Sequence, residues 1–208
     1  ILLERDLGVL LRGVDDGRKT FANTMKYISI TTSANFGNMV SMAFASLALP
    51  FLRLVAPQIL LNNFLSDVPS LAIATDNVDP DQVRKPRHWD IGYVRRFMIT
   101  FGLISALFDF VTFLILVARA TASIFQTAWF VESLITELAI VLIVRTHSSF
   151  WRSRPSVMLS WLTLAAGLVA IASPFLPGAD WFGFAPLPAS VIGALVVITL
   201  AYLAASEV

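Results

Sequence analysis

Six blocks of roughly 20 mainly apolar residues, separated by short polar joints, run through this 208-residue sequence. A helix needs about 20 such residues to cross about 30 Å of hydrocarbon. Inside hydrocarbon every backbone N–H and C=O must be bonded within the protein, which helices achieve residue by residue. The composition points the same way. The chain is 57% hydrophobic and 14% charged, against about 45–50% and about 25% for soluble globular domains. The expected fold is therefore all-α, a polytopic membrane bundle of six transmembrane helices with a short cytoplasmic stalk at the N-terminus.

The spans are placed at about Tyr27–Leu52, Gln58–Asn77, Val94–Val117, Thr127–Val144, Val157–Ser173 and Ala189–Ala205. Pro50 and Pro57, Pro80 and Pro86, and the stretch from Pro174 to Pro188 punctuate the joints. Basic residues set the orientation. Arg5, Arg12, Arg18, Lys19 and Lys26 precede the first span; Arg84, Lys85, Arg87, Arg95 and Arg96 lie around the start of the third. Arg145, Arg152 and Arg154 follow the fourth. With alternating spans, 13 of the 15 basic residues fall on one side, and only Arg53 and Arg119 on the other. Both termini are accordingly expected in the cytoplasm, in a plasma-membrane protein. Trp89, Trp129, Trp151 and Trp181 fall near span boundaries, as interfacial aromatics do.

Residues 1–26 are charged but keep a helix-like apolar spacing and run into the first span without a break. The reading divides the chain into a stalk, 1–26, and a transport domain, 27–208. The chain opens on Ile1, and Ile1–Glu4 reads as the middle of a longer sequence, so a fragment is expected. No signal peptide and no nucleic-acid footprint are visible; the lipid bilayer is the expected partner. With no cysteine, disulfides, zinc thiolates and cysteine nucleophiles are excluded.

Polar groups at membrane depth each need a reason, because an ionisable one costs at least about 2.5–3.5 kcal/mol on insertion scales. The second span contains Asn62-Asn63-Phe64-Leu65-Ser66-Asp67-Val68-Pro69. On a helix Asn63, Ser66 and Asp67 share a face. Pro69 has no N–H for the Leu65 carbonyl and crowds that turn, so a broken helix with a freed carbonyl beside a carboxylate is expected, as at transporter ion sites. An interhelical hydrogen-bond cluster would account for Asn and Ser alone; the carboxylate and the proline favour an ion site. Asn35 and Asn38 share a face of the first span and are expected to meet this cluster across a close contact at Gly37; small and hydroxylated residues there also suit simple packing.

Further candidates are Asp109, Glu132 and Glu137. The two glutamates are about 140° apart around a helix, so only one can face a given site, and pairing is the expected role of Asp109. Carboxylate, amide and hydroxyl oxygens suit hard cations such as Mg²⁺, Ca²⁺, Na⁺ or protons, and His88 and His147 lie outside the membrane.

The runs GRKTFANTMKYI, TTSANFGN and NNFLSDVP…DNVD resemble the stalk and the fifth and sixth membrane helices of P-type ATPases. ATDNVDPDQVRKPRHWD, RRFMITFGLISALFDFVTF and TAWFVESLITELAIVLIVRT…RSRPS are most similar to the magnesium-transporting branch. The resemblance implies that the six spans are helices five to ten of a ten-helix pump. It implies cation ligands at Asn35, Asn63, Ser66 and Asp67. Asn38 takes a place where calcium pumps carry a carboxylate, and Arg53 stands where a proline is expected in this branch. The motifs DKTG, TGES and GDGxNDxP are absent, so no catalytic or cofactor-binding residue is expected in this chain, which alone is not an enzyme. The parent would couple ATP hydrolysis to Mg²⁺ transport, with ATP and its Mg²⁺ bound in an N-terminal half outside this chain. The alternatives are a stand-alone non-enzymatic six-helix membrane protein, channel-like or structural, and a pump of this class for Ca²⁺ or H⁺.

Overall fold

The computed structural model describes residues 7–52, 54–86, 88–117, 120–146 and 153–206. Arg5, Arg53, Arg87, Arg119, His147, Trp151 and Arg152 lie outside the described residues. The described residues form seven α-helices: α1 Leu7–Ala48, α2 Ala56–Ala72, α3 Pro80–Val83, α4 Ile91–Val117, α5 Ala122–Val144, α6 Val157–Ala172 and α7 Ala189–Ser206. No strand occurs among the described residues. Among the described residues four helices, α4 to α7 (α6 extended to Phe175), are long and apolar enough to cross a membrane.

Helix α5 is the axis of the bundle. It buries 61% of its apolar window, whereas α4, α6 and α7 bury 28–33% of theirs. Phe125, Ala128 and Trp129 of α5 pack with Ala45 of α1, Phe113 and Leu116 of α4, and Val191 and Leu195 of α7. On its other side Phe130, Leu134 and Leu138 meet Leu65 of α2 and Ala166 and Ala170 of α6. Outward faces carry large exposed apolar groups, among them Leu107, Leu114, Trp161, Leu168, Val197 and Leu200. So much apolar surface is a liability in water and is what a helix facing lipid should show. The chain is a multi-pass membrane protein.

Helix ends follow local chemistry. Thr121 and Ser156 cap α5 and α6, accepting from the backbone N–H groups of Ile124 and Leu159 at 3.4 and 3.2 Å. Gly178 and Gly183, at φ +92° and +70°, shape the turn between α6 and α7, a backbone region in which only glycine is unstrained. Buried Gln58, at the start of α2, donates to the Gly183 carbonyl at 3.2 Å and ties that turn to the bundle.

Five expectations change. The first helix ends at Ala48 rather than Leu52. The second ends at Ala72, continuing only as a 3-10 turn to Thr75, so Asn77 lies beyond it. Pro69 does not break α2, which stays helical through it. It sits in the last turn, where one missing donor is easily tolerated. Gly37 faces α4, not α2: a Cβ there would stand 3.0 Å from the Gly102 carbonyl, and one on Gly102 would meet the Phe36 ring at 2.6 Å. Two glycines let the backbones of α1 and α4 touch, the small-residue contact common between membrane helices. Trp129 is fully buried rather than interfacial, because its ring completes the core around Phe113 and Phe125.

Candidate cation site

Helices α1, α2 and α5 enclose a cavity of about 170 Å³. Asn35 and Asn38 reach it from α1, Asn63, Ser66 and Asp67 from α2, and Glu137 from α5. The five side chains expected as ligands on the first two spans therefore line one space. The i, i+3, i+4 spacing on α2 and the i, i+3 spacing on α1 place them there. Of the two glutamates, Glu137 is the one that reaches this cavity.

The walls differ in exposure. Asn62 and Ser66 are buried, toward α5, while Asn63 and Asp67 on the adjoining stripe of α2 are exposed, as is Asn35. The Ser66 hydroxyl donates to the Asn63 carbonyl at 3.2 Å, leaving its lone pairs to the cavity side. Ser66 and Asn62 are the polar neighbours of the Glu137 carboxyl. Around this cavity three of the buried oxygens without a hydrogen-bond partner among the described residues are Glu137 Oε2, Thr31 Oγ1 and Asn62 Oδ1. Glu137 and Thr31 line the cavity. Buried polar atoms are nearly always bonded, so unpaired acceptors beside an open space mark where a donor or cation would be gained.

The donor set comprises two carboxylates with amide and hydroxyl oxygens, hard ligands that suit a hard cation. Among the described residues no cluster of three or more His, Cys, Asp and Glu could hold a metal. Any cation here thus relies on neutral oxygens as well as on Asp67 and Glu137.

Asp109 and Glu132 do not line this cavity. Asp109 is a paired residue: it accepts from the Ser41 hydroxyl and, at 2.8 Å, from the Trp129 indole N–H. Glu132 is buried and stands on the wall of an apolar groove of about 300 Å³ with Leu195, Val196 and Thr199 of α7.

A second polar cluster was not anticipated from the sequence. Asp76, just past α2, is buried between Lys26 of α1 and Arg145 at the end of α5. Lys26 donates to Asp76 at 3.1 Å and to the Asn77 carbonyl at 2.8 Å; Arg145 donates to Asp76 at 3.1 Å and to Ser153. The Ser156 N–H, at the start of α6, adds a bond to Asp76 at 2.9 Å, and Asn23 donates to its carbonyl at 2.9 Å. Burial pushes the Lys26 ammonium below its ordinary pKa, while the Asp76 carboxylate pulls it back up. Arg145, counted above as a loop charge, is thus an internal ion-pair partner. One aspartate joins the neighbourhoods of four helices.

Residues 51–208 match the family described as cation transporting ATPase, C-terminus. Over 214 residues the chain is 42% identical to magnesium-transporting ATPase, P-type 1, of Escherichia coli (strain K12), covering 100% of this chain and 24% of that protein. A protein of the same name from Salmonella typhimurium (strain LT2) is 37% identical over 209 residues, 97% of this chain and 23% of its own. The calcium-transporting ATPase of Bacillus subtilis (strain 168) is 28% identical over 164 residues, 74% of this chain and 18% of its own. The chain spans about a quarter of the length of the magnesium-transporting relatives it matches.

Proposed function

The chain belongs to the cation-transporting P-type ATPases, within their C-terminal membrane region, and from that premise we propose that it is the cation-binding part of a pump that moves Mg²⁺ at the expense of ATP. The observation that carries the reading is the shared cavity. Asn35, Asn38, Asn63, Ser66, Asp67 and Glu137, drawn from three helices, present hard oxygens to one space at membrane depth. Asp67 and Glu137 supply the charge that offsets the cation's own. The amides and Ser66 orient it.

The volume fits an ion that keeps part of its water. Mg²⁺ dehydrates reluctantly and prefers six oxygens. At about 30 Å³ per water, 170 Å³ has room for several beside the ion. The low carboxylate count agrees with a site that binds a hydrated cation and releases it.

In this reading all six long helices cross the bilayer, with both termini in the cytoplasm of a plasma-membrane pump. Helix α2 and its 3-10 extension together rise about 32 Å, close to the hydrocarbon thickness. Residues 1–26 form the stalk and 27–208 the transport domain. Helix α1 runs unbroken from the stalk to Asn35 and Asn38, a rigid link along which a change in an ATP-hydrolysing N-terminal half would reach the site. ATP and its Mg²⁺ are held in that half.

The test is Asp67→Asn in the complete pump. Mg²⁺-stimulated ATP hydrolysis should fall to the Mg²⁺-transport-deficient background while the protein still inserts and melts as wild type does. A wild-type Mg²⁺ response in that variant removes Asp67 from the site. Competition by Ca²⁺ in the wild type sets the selectivity: inhibition or substitution at concentrations equal to those of Mg²⁺ would overturn a magnesium-specific site.

A further inference from the structure

On the opposite side of α1 lies a second cavity, of about 510 Å³, between α1, residues 79, 81, 82, 88 and 90, the first turns of α4 and the end of α5. Ser29, on its wall, and Asn38, at the cation site, are nine residues apart, about 180° around the helix, so the two spaces are separate. Its size is that of a small-molecule pocket.

The two ends of this cavity have opposite chemistry. At the inner end, Ser29 is 4% exposed and Arg145 1% exposed, and the Ser29 hydroxyl and the Arg145 Nε–H have no partner among the described residues. Lys26 stands beside them with two of its three N–H groups committed to Asp76 and Asn77. Two cations and a spare hydroxyl call for an acceptor. At the outer end stand Asp81, whose exposed carboxylate makes a surface pair with Arg84 at 3.4 Å, and Asp90, which caps α4 through the Tyr93 N–H. The Tyr93 ring lines the same end. Asp79, also on the wall, already accepts from Thr146 at 2.7 Å and Ser153 at 2.8 Å.

A simple anion would meet three aspartates here, and a simple cation would meet Lys26 and Arg145. A molecule with both charges satisfies both ends. We propose that this cavity binds a phosphate–primary ammonium zwitterion, as in the headgroup of phosphatidylethanolamine. The phosphate is seated at Ser29, Lys26 and Arg145, and the ammonium at Asp81 and Asp90 over the Tyr93 face. Charge-assisted bonds hold the phosphate, and a cation over an aromatic ring adds to the outer end. Placement favours the lipid. His88, Asp90 and Tyr93 put part of the cavity wall where α4, a helix long and apolar enough to cross a membrane, begins at Ile91, and Trp89 and Tyr93 flank that start as aromatics do at headgroup depth.

The complete pump, purified in detergent, tests this by thermal unfolding and by native mass spectrometry of bound lipid. Dioleoyl phosphatidylethanolamine should raise the melting temperature and half-saturate at roughly tenfold lower concentration than phosphatidylcholine, whose ammonium cannot donate, or phosphatidylglycerol, which has none. Ser29→Ala and Asp81→Asn should each weaken that response roughly tenfold with the lipid-free melting temperature unchanged. If Ser29→Ala lowers the lipid-free value, Asp81→Asn, at an exposed position, carries the test alone. Soluble glycerophosphoethanolamine separates the sources: a shift with it assigns the site to a soluble zwitterion, and a shift only with the diacyl form assigns it to the membrane. Equal responses to the three lipids, or a wild-type response in Asp81→Asn, overturn the proposal.

Discussion

Two buried polar clusters sit on the same three elements, α1, α2 with its extension, and α5, yet they are built in opposite ways. Around Asp76 every oxygen of the carboxylate is used: Lys26, Arg145 and the Ser156 N–H converge on it, and Asn23 takes its carbonyl. Around Asp67 and Glu137 there is space of about 170 Å³, an exposed carboxylate, and unpaired oxygens on Glu137 and Thr31. Buried charge is costly at Asp76 and at Glu137 alike. Where every oxygen of the carboxylate is paired, as at Asp76, removing it strands the two cations, and the cluster acts as architecture. Where it is left partly unpaired beside a cavity, the deficit can be met by a ligand that comes and goes. Degree of satisfaction at the carboxylate, more than burial or charge, separates the joint from the cation site.

The largest effect should come from breaking the joint. Asp76→Ala leaves Lys26 and Arg145 buried without their counter-charge, a loss of about 3–5 kcal/mol. The complete protein should then melt well below wild type or fail to accumulate in the membrane. A melting temperature near that of wild type would mean that water reaches the cluster and that the contrast with the cation site is weaker than the geometry indicates. Next comes the Asp109 pair, which the comparison assigns to architecture despite its depth. Trp129→Phe deletes the indole N–H that Asp109 accepts at 2.8 Å and should cost about 1.5–3 kcal/mol of stability. The Mg²⁺ concentration for half-maximal ATPase activity should stay put; a large shift would move Asp109 into the transport site.

How much of this could be read from the residues alone depended on the range of the signal. Asn63, Ser66 and Asp67 were legible because a helix fixes the relation of i, i+3 and i+4, whatever the helix packs against. The divergence of Glu132 and Glu137 was legible for the same reason. Which of them faces α1 and α2 was not, since that needs the rotation of α5 in the bundle. Partners across helices were the weak point. Gly37 read correctly as a point of close approach, but its neighbour proved to be Gly102, 65 positions further along and itself invisible as a contact. Asp76 lay in DNVD, which has the composition of an ordinary polar joint, and Lys26 and Arg145 stand 50 and 69 residues from it. Both bases served as topology markers in the sequence. Trp129 was placed by its distance from a span boundary, whereas its burial follows from the pocket that Phe113 and Phe125 make for it.

The finest discrimination is between the two glutamates of α5, identical in chemistry and one and a half turns apart. Glu137→Gln keeps the shape and one acceptor but removes the charge that faces the cavity. Because Glu137 Oε2 has no donor among the described residues and glutamine keeps an oxygen toward Asn62 and Ser66, stability should change by less than about 1 kcal/mol, within the range of substitutions that break no network. The half-saturating Mg²⁺ concentration for ATP hydrolysis should rise roughly tenfold, the equivalent of about 1.4 kcal/mol of cation affinity. Glu132→Gln, made beside it, should leave that concentration within about twofold, since Glu132 faces the apolar groove against α7. Equal shifts in the two variants would show a long-range field effect instead of ligation. A shift in Glu132→Gln alone would turn α5 around in the functioning pump.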